Sequence, residues 1–558
     1  MKYILILLLS FLTLNAAPIS NKKLKKMIGR MLVIGFEEQS VNKDTQIVKD
    51  IKRYELGGVI LFDKHYKKRS ITKNIDSPQQ LQELTTQLKK YSLKPLLISV
   101  DQEGGNVARL KHYYGFDRFP SAKEITYMHF SDAKELYNDE AKMLKKAGIN
   151  TNFAPVVDLE VNPDNKVIVG LERSYGKSSE KVTKYAKVLI DAQRKQNIIS
   201  VLKHFPGHGS SLDDSHKGFV DISKTWSKKE LQPYKNLIKS NDVDMIMTAH
   251  VFNSHLDKKY PATLSYKVNT KLLRKEMGYK GLIISDDLQM KAITKHYSLR
   301  QSVTLAINAG VDILLFGNQL SNNSADELVK VIYSQVKKGK ISYKRIIESN
   351  KRIEYLLTKN SIKHRPISFT PKRIKLTKDY IKQHYGLKVK NIKIKPKAIV
   401  LHWTAVMKYE DCFKRLKGET LYSDRGDIAK AGALNVSTHF LVERNGAITQ
   451  LMPDNWMARH VIGLNYSSIG IENVGGRDNK KDDLTKAQRI ANVRLVEYLK
   501  IKYPDIKYLL GHYEYEKMQK TPLWLEKDAK YRTKKVDPGK RFMKIVRREV
   551  KYLGLKKP

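Results

Sequence analysis

Eight short apolar runs punctuate the first 360 residues, and each is followed by a stretch in which charged and apolar positions recur with helical spacing. The runs are Met31–Phe36, Gly57–Phe62, Pro95–Val100, Thr151–Leu159, Ile198–Leu202, Val243–Thr248, Gly281–Ser285 and Val311–Phe316. Between them, segments such as Asp132–Lys146 and Glu180–Asn197 place Lys and Glu around an amphipathic helix. Alternation of this kind implies parallel strands joined by crossover helices. Eight units fit an α/β fold of the (β/α)8 TIM barrel type, with an open doubly wound sheet as the alternative. A helical pattern from Ile341 to Leu357 closes the series.

The pattern then changes. Residues 361–394 are Lys-rich and broken by Pro366 and Pro371, which predicts a basic linker. From 395 to 558 the apolar runs end in histidines: Ala398–Thr404 contains His402, and Leu509-Leu510-Gly511 precedes His512. Ser437–Glu443, Ala447–Leu451 and Ser468–Asn473 read as further strands of a mixed α/β domain.

The N-terminus adds a targeting signal. Lys2, an apolar run from Tyr3 to Leu14 and the small residues up to Ala17 have the layout of a secretory signal peptide over residues 1–17. An uncleaved anchor is the alternative, since Leu14 stands where a small residue is usual. The expected layout is therefore a signal peptide, a barrel domain over 18–360, the linker, and a second domain over 395–558. An exported protein of the periplasm or cell envelope follows, with no stable membrane insertion after signal removal.

Composition narrows the partners. One cysteine, Cys412, excludes an internal disulfide framework. The net charge of +47 is spread along the chain instead of gathered in a block. Solvated lysine faces are its plainest reading; a polyanionic partner is the other, and for an exported chain an acidic envelope polymer suits better than nucleic acid.

Titratable groups crowd the predicted strand ends: Asp101-Gln102-Glu103, Asp158, Lys203-His204, His250 and Ser285-Asp286-Asp287. Barrel enzymes draw their catalytic groups from that end. The densest stretch is Lys203-His204-Phe205-Pro206-Gly207-His208-Gly209, followed by Asp214-Ser215-His216. Together with Phe153–Asp158, Glu172–Gly176 and Pro261–Ser265, these segments resemble the family-3 glycoside hydrolases of the β-N-acetylglucosaminidase type. The resemblance implies Asp286 as nucleophile and His216 as general acid/base oriented by Asp214. It also implies a sugar grip of Asp101, Arg109, Arg173, Lys203 and His204, with no cofactor.

In the second half, His402, Ser468–Asn473, His512 and Lys535-Val536-Asp537-Pro538-Gly539 resemble the zinc N-acetylmuramoyl-L-alanine amidases, whose fold is shared with peptidoglycan recognition proteins. The resemblance implies zinc held by His402, His512 and Asp537, with Glu472 as general base and Lys535 stabilising developing negative charge. The stretch between His512 and Asp537 is longer than usual there and predicts an inserted lobe shaping the groove. His439 and His460 are possible substitute ligands, with core packing favoured for the first and groove lining for the second. The two resemblances jointly imply a bifunctional hydrolase acting on peptidoglycan or muropeptide fragments. The alternative is one catalytic half and one wall-binding half.

Overall fold

A computed structural model describes residues 20–558 except Lys67, Arg69, His216 and Lys217. The signal-peptide expectation and His216 therefore lie outside the described residues.

The barrel strands form where the apolar runs occur. They are β1 (Leu32–Gly35), β2 (Gly58–Ile60), β3 (Leu97–Val100), β4 (Thr151–Asn152), β5 (Ile199–Phe205), β7 (Met245–Thr248), β9 (Leu282–Ser285) and β10 (Leu314–Phe316). A small side pair, β6 (Val220–Asp221) and β8 (Val251–Phe252), stands apart from them. The eight-stranded sheet runs β10-β1-β2-β3-β4-β5-β7-β9 with all neighbours parallel, and Ile284 beside Ile313 closes β9 onto β10. Closure excludes the open doubly wound sheet. Strands buried on both faces need apolar side chains on both, and Leu32, Val33, Val59, Ile98 and Ile283 have no exposed surface. The run at 151–159 is mostly not strand: β4 has two residues, and beyond it Val156 only bridges Lys203. Pro155 lacks the N–H that a longer ladder would require.

The second half builds a six-stranded sheet in the order β11-β14-β13-β15-β12-β16. Its members are β11 (Lys363–His364), β12 (Ala398–Trp403), β13 (Phe440–Val442), β14 (Ile448–Gln450), β15 (Ser468–Asn473) and β16 (Tyr508–Gly511). The helix Lys486–Lys502 covers one face, with Ala491, Leu495 and Leu499 buried against Ile399, Leu401 and Ile471.

The stretch 361–394, expected as a linker, is folded onto this half. It supplies β11, parallel to β14, and the helix Pro371–Tyr380. Arg373, Thr377, Tyr380, Ile381 and His384 are buried at three- and four-residue spacing while the lysines face outward. Counting lysines therefore hides the apolar stripe.

Candidate active sites

The first site is a cleft of about 730 Å³ at the C-terminal ends of the barrel strands. Asp101 follows β3, Lys203 and His204 lie on β5, and Asp286 follows β9. These four, with Arg109, Arg173 and Asp214, all line the cleft. The structure thus brings together every described residue expected at the sugar site.

A buried ionic network fixes their geometry. Lys203 Nζ lies 2.8 Å from Asp101 Oδ1 and 2.6 Å from Glu103 Oε1. Arg173 donates two parallel bonds to Glu103, at 2.7 and 2.8 Å, and approaches His204 Nε2 at 3.3 Å. Arg109 reaches Asp101 at 3.6 Å. His204 Nδ1 lies 2.7 Å from Asp158 Oδ2, and Asp158 also accepts the backbone N–H of His204 and His208. Burial alone would raise the Glu103 carboxyl, but Arg173 and Lys203 hold it well below the usual range. Asp158 is likewise buried, and His204 and His208 keep it low. Both carboxylates therefore stay charged, Glu103 locking Lys203 and Arg173 in place and Asp158 holding the His204 ring. Neither stood among the expected site residues, although both sit in the motifs quoted above. Their partners are far away in sequence, so only the fold reveals the pairing.

Around Asp286 the backbone is tied down: its N–H donates to Thr248 O at 3.2 Å, and its Oδ1 accepts the N–H of Asp287 at 2.8 Å. His208 is buried with its Nδ1 2.7 Å from Ser211 Oγ, and burial pushes it down to about 4.

The second site is a groove of about 350 Å³ in the C-terminal half. Parallel pairing of β12 with β15 sets His402 beside Glu472, and β16 delivers His512 next to them. Asp537 arrives from the end of the segment that follows His512, where its carbonyl accepts the N–H of Tyr513. Asp537 Oδ2 lies 3.3 Å from His402 Nδ1 and 3.0 Å from His512 Nδ1. One ligand atom from each of the three residues falls within 4.8 Å of the others, and all three residues are buried. Burial and the neighbouring His512 push His402 down to about 4, so it is neutral and able to ligate. Against burial, the two histidines pull the Asp537 carboxyl far below its ordinary value.

Glu472 lines the groove together with Arg425 and Lys535. Burial and then Asp537 push its carboxyl well up, while Lys535 and Arg425 oppose them. Its Oε2 is buried without a hydrogen-bond partner, as few buried polar atoms are. The segment between His512 and Asp537 contributes Tyr531, Thr533 and Lys535 to the groove wall. It is anchored by Glu526, whose carboxylate oxygens both lie 3.0 Å from His384 Nδ1. His439 is a satisfied core group: its Nε2 bonds Trp456 O at 2.7 Å and its Nδ1 accepts Gly470 N–H at 3.0 Å.

Comparison with known proteins agrees with both halves. Residues 23–356, more than half of the chain, match the glycosyl hydrolase family 3 N-terminal domain, and residues 393–540 match the N-acetylmuramoyl-L-alanine amidase family. Beta-hexosaminidase A of Pseudoalteromonas piscicida is 33% identical over 336 residues, covering 55% of this chain and 54% of the relative. The chain thus spans about half the length of that relative. A beta-hexosaminidase of Haemophilus influenzae is 35% identical over 272 residues, 47% of this chain and 73% of that one. Among solved structures, a glycoside hydrolase family 3 β-N-acetylglucosaminidase from Paenibacillus superposes with a TM-score of 0.55 at 24% identity, covering 87% of this chain and 84% of its own. At that identity the superposition speaks for the fold alone. With a closed barrel under the larger match and a mixed sheet under the smaller, the chain belongs to glycosyl hydrolase family 3 and carries, joined to that enzyme domain, one of the N-acetylmuramoyl-L-alanine amidase family.

Proposed function

We propose that the protein is a bifunctional peptidoglycan hydrolase. The barrel cleft releases N-acetylglucosamine with retention of configuration, and the second groove, holding zinc, cuts the amide between N-acetylmuramic acid and L-alanine. The observation that supports this most is the presence in one chain of two assembled side-chain sets, one around each cleft. They suit adjacent linkages of one polymer.

In the barrel, retaining hydrolysis needs a carboxylate on one face of the sugar and a proton donor on the other. Asp286 attacks the anomeric carbon while His216 gives its proton to the departing oxygen. His216 then takes a proton from the water that breaks the bond to Asp286. Asp214 orients the imidazole. Asp101, Arg109, Arg173, Lys203 and His204 grip the sugar, and Glu103 and Asp158 hold the grip rigid.

In the groove, two imidazole nitrogens and a carboxylate oxygen form a donor set suited to zinc with one position left open. The orphaned Glu472 oxygen beside it fits a group that exchanges protons with water there. When bound, zinc supplies Lewis acidity toward the amide carbonyl and acidifies a water. Glu472 accepts the proton of the attacking water and passes it to the leaving nitrogen. Lys535 stabilises the negative charge that grows on the carbonyl oxygen.

The apolar run after Lys2 supports action in the cell envelope, and among the described residues no helix is long and apolar enough to cross a membrane. Mass analysis of products from purified muropeptides tests the whole reading. Free N-acetylglucosamine and free stem peptide are both expected, the second lost on zinc chelation. Release of one product only, whatever the metal, would instead mark the other half as a binding module.

A further inference from the structure

The mechanism above gives no task to His460, a half-buried histidine at the second groove. His460 lines the same groove as His512 and Asp537, in keeping with the groove-lining role expected of it, with its Nδ1 3.0 Å from His402 Nε2. The two rings meet edge to face at 5.1 Å. His460 is therefore not a substitute ligand, because its nearest nitrogen faces the far edge of a ring whose Nδ1 already points to Asp537.

The contacts behind His460 favour one placement of its proton. Ser468 donates its hydroxyl to Leu464 O at 2.8 Å, so its Oγ is left as an acceptor. His460 Nε2 lies 3.3 Å from that oxygen and 3.5 Å from Ser468 O, two acceptors that favour a proton on Nε2. Its Nδ1 is then bare and accepts from His402 Nε2–H. His402 in turn must leave its own Nδ1 unprotonated, with the lone pair toward Asp537 and His512. The alternative tautomer would put a proton where a metal ion has to sit.

The ring of His460 is also held in position. Asn465 Oδ1 accepts the backbone N–H of both His460 and Val461 at 2.8 Å. Gly470 supplies the floor: a Cβ there would stand 2.7 Å from His460 Cγ.

We propose that His460 is a positioning residue for the metal centre, setting the tautomer and angle of His402 through the chain Ser468–His460–His402. The inference rests on the zinc reading of the groove. Outer-shell partners of this kind are worth about 10- to 100-fold in metal affinity.

The test compares His460→Phe, which keeps ring bulk but has no acceptor, with His460→Asn, whose side-chain oxygen can accept. Zinc affinity is measured on the full chain by competition with a chromophoric chelator, and near-ultraviolet circular dichroism checks folding. The Phe variant should bind zinc about 10- to 100-fold more weakly, and the Asn variant should recover most of the loss. A Phe variant with wild-type zinc affinity would overturn the proposal, as would equal losses in both folded variants. Wild-type protein that takes up no zinc would sink the metal reading itself, a result distinct from either.

Discussion

Tyr355, on the closing helix of the barrel (Tyr343–Ser361), stacks on Tyr498 of the helix Lys486–Lys502, with ring centroids 5.2 Å apart. The two halves therefore meet helix to helix. Beside the rings, Glu354 accepts from Arg30 Nε at 3.0 Å and from Lys94 Nζ at 3.1 Å, and Arg494 donates to Ser361 Oγ at 2.6 Å.

Glu354→Gln should destabilise the protein by roughly 3–5 kcal/mol in urea denaturation, because it leaves two cations facing a neutral amide inside the interface. Burial alone would raise Glu354, yet Arg30, Lys94 and Arg494 bring it down to about 2. Its folded value is thus depressed, so its stabilisation is complete above the ordinary glutamate range and lost as pH falls toward about 2. Wild-type stability should drop over that acid interval, and the variant should lack that part of the drop.

Asp286→Ala should reduce N-acetylglucosamine release at least about a thousandfold while leaving amide cleavage intact. His402→Ala should do the reverse. Assaying both variants on one muropeptide preparation checks the independence of the two sites, and coincident loss in either variant would contradict it.

Glu103→Gln removes the anion that Lys203 and Arg173 share. The glycosidase kcat/KM should fall about 10- to 100-fold, since the cations proposed to grip the sugar lose their fixed placement. Steady-state kinetics on a chromogenic N-acetylglucosaminide reads this directly, and the amidase reaction serves as the internal control.

Gly209→Ala should disable the loop that leads to Asp214. A Cβ at Gly209 would lie 1.7 Å from Leu159 O, a backbone atom that cannot swing aside. The expected result is loss of glycosidase activity together with about 1–3 kcal/mol of stability, followed by thermal denaturation and turnover.

Much of this was legible in the residues. The barrel strands announce themselves because parallel strands covered on both faces must be apolar throughout, so Leu97–Val100 and Leu282–Ser285 stand out even beside lysine-rich helices. The catalytic candidates stand at strand ends, where a packed core has no use for charge. What stayed hidden depends on contacts distant in sequence. Nothing local to Glu103 shows that Arg173 will close on it, and nothing local to His460 shows that it will face His402. The stretch 361–394 failed for another reason: its lysines dominate the count, while Ile367, Tyr380 and Ile381 do the packing.

That last feature bears on how the two proposed activities can be separated by cutting the gene. A fragment starting at Ala398 would discard the edge strand at Lys363–His364, the helix Pro371–Tyr380 and the imidazole that anchors Glu526. It would expose β14 as a raw sheet margin and leave the lobe bearing Asp537 untethered. An autonomous amidase should instead begin near Ile362, whose side chain is already part of its interior.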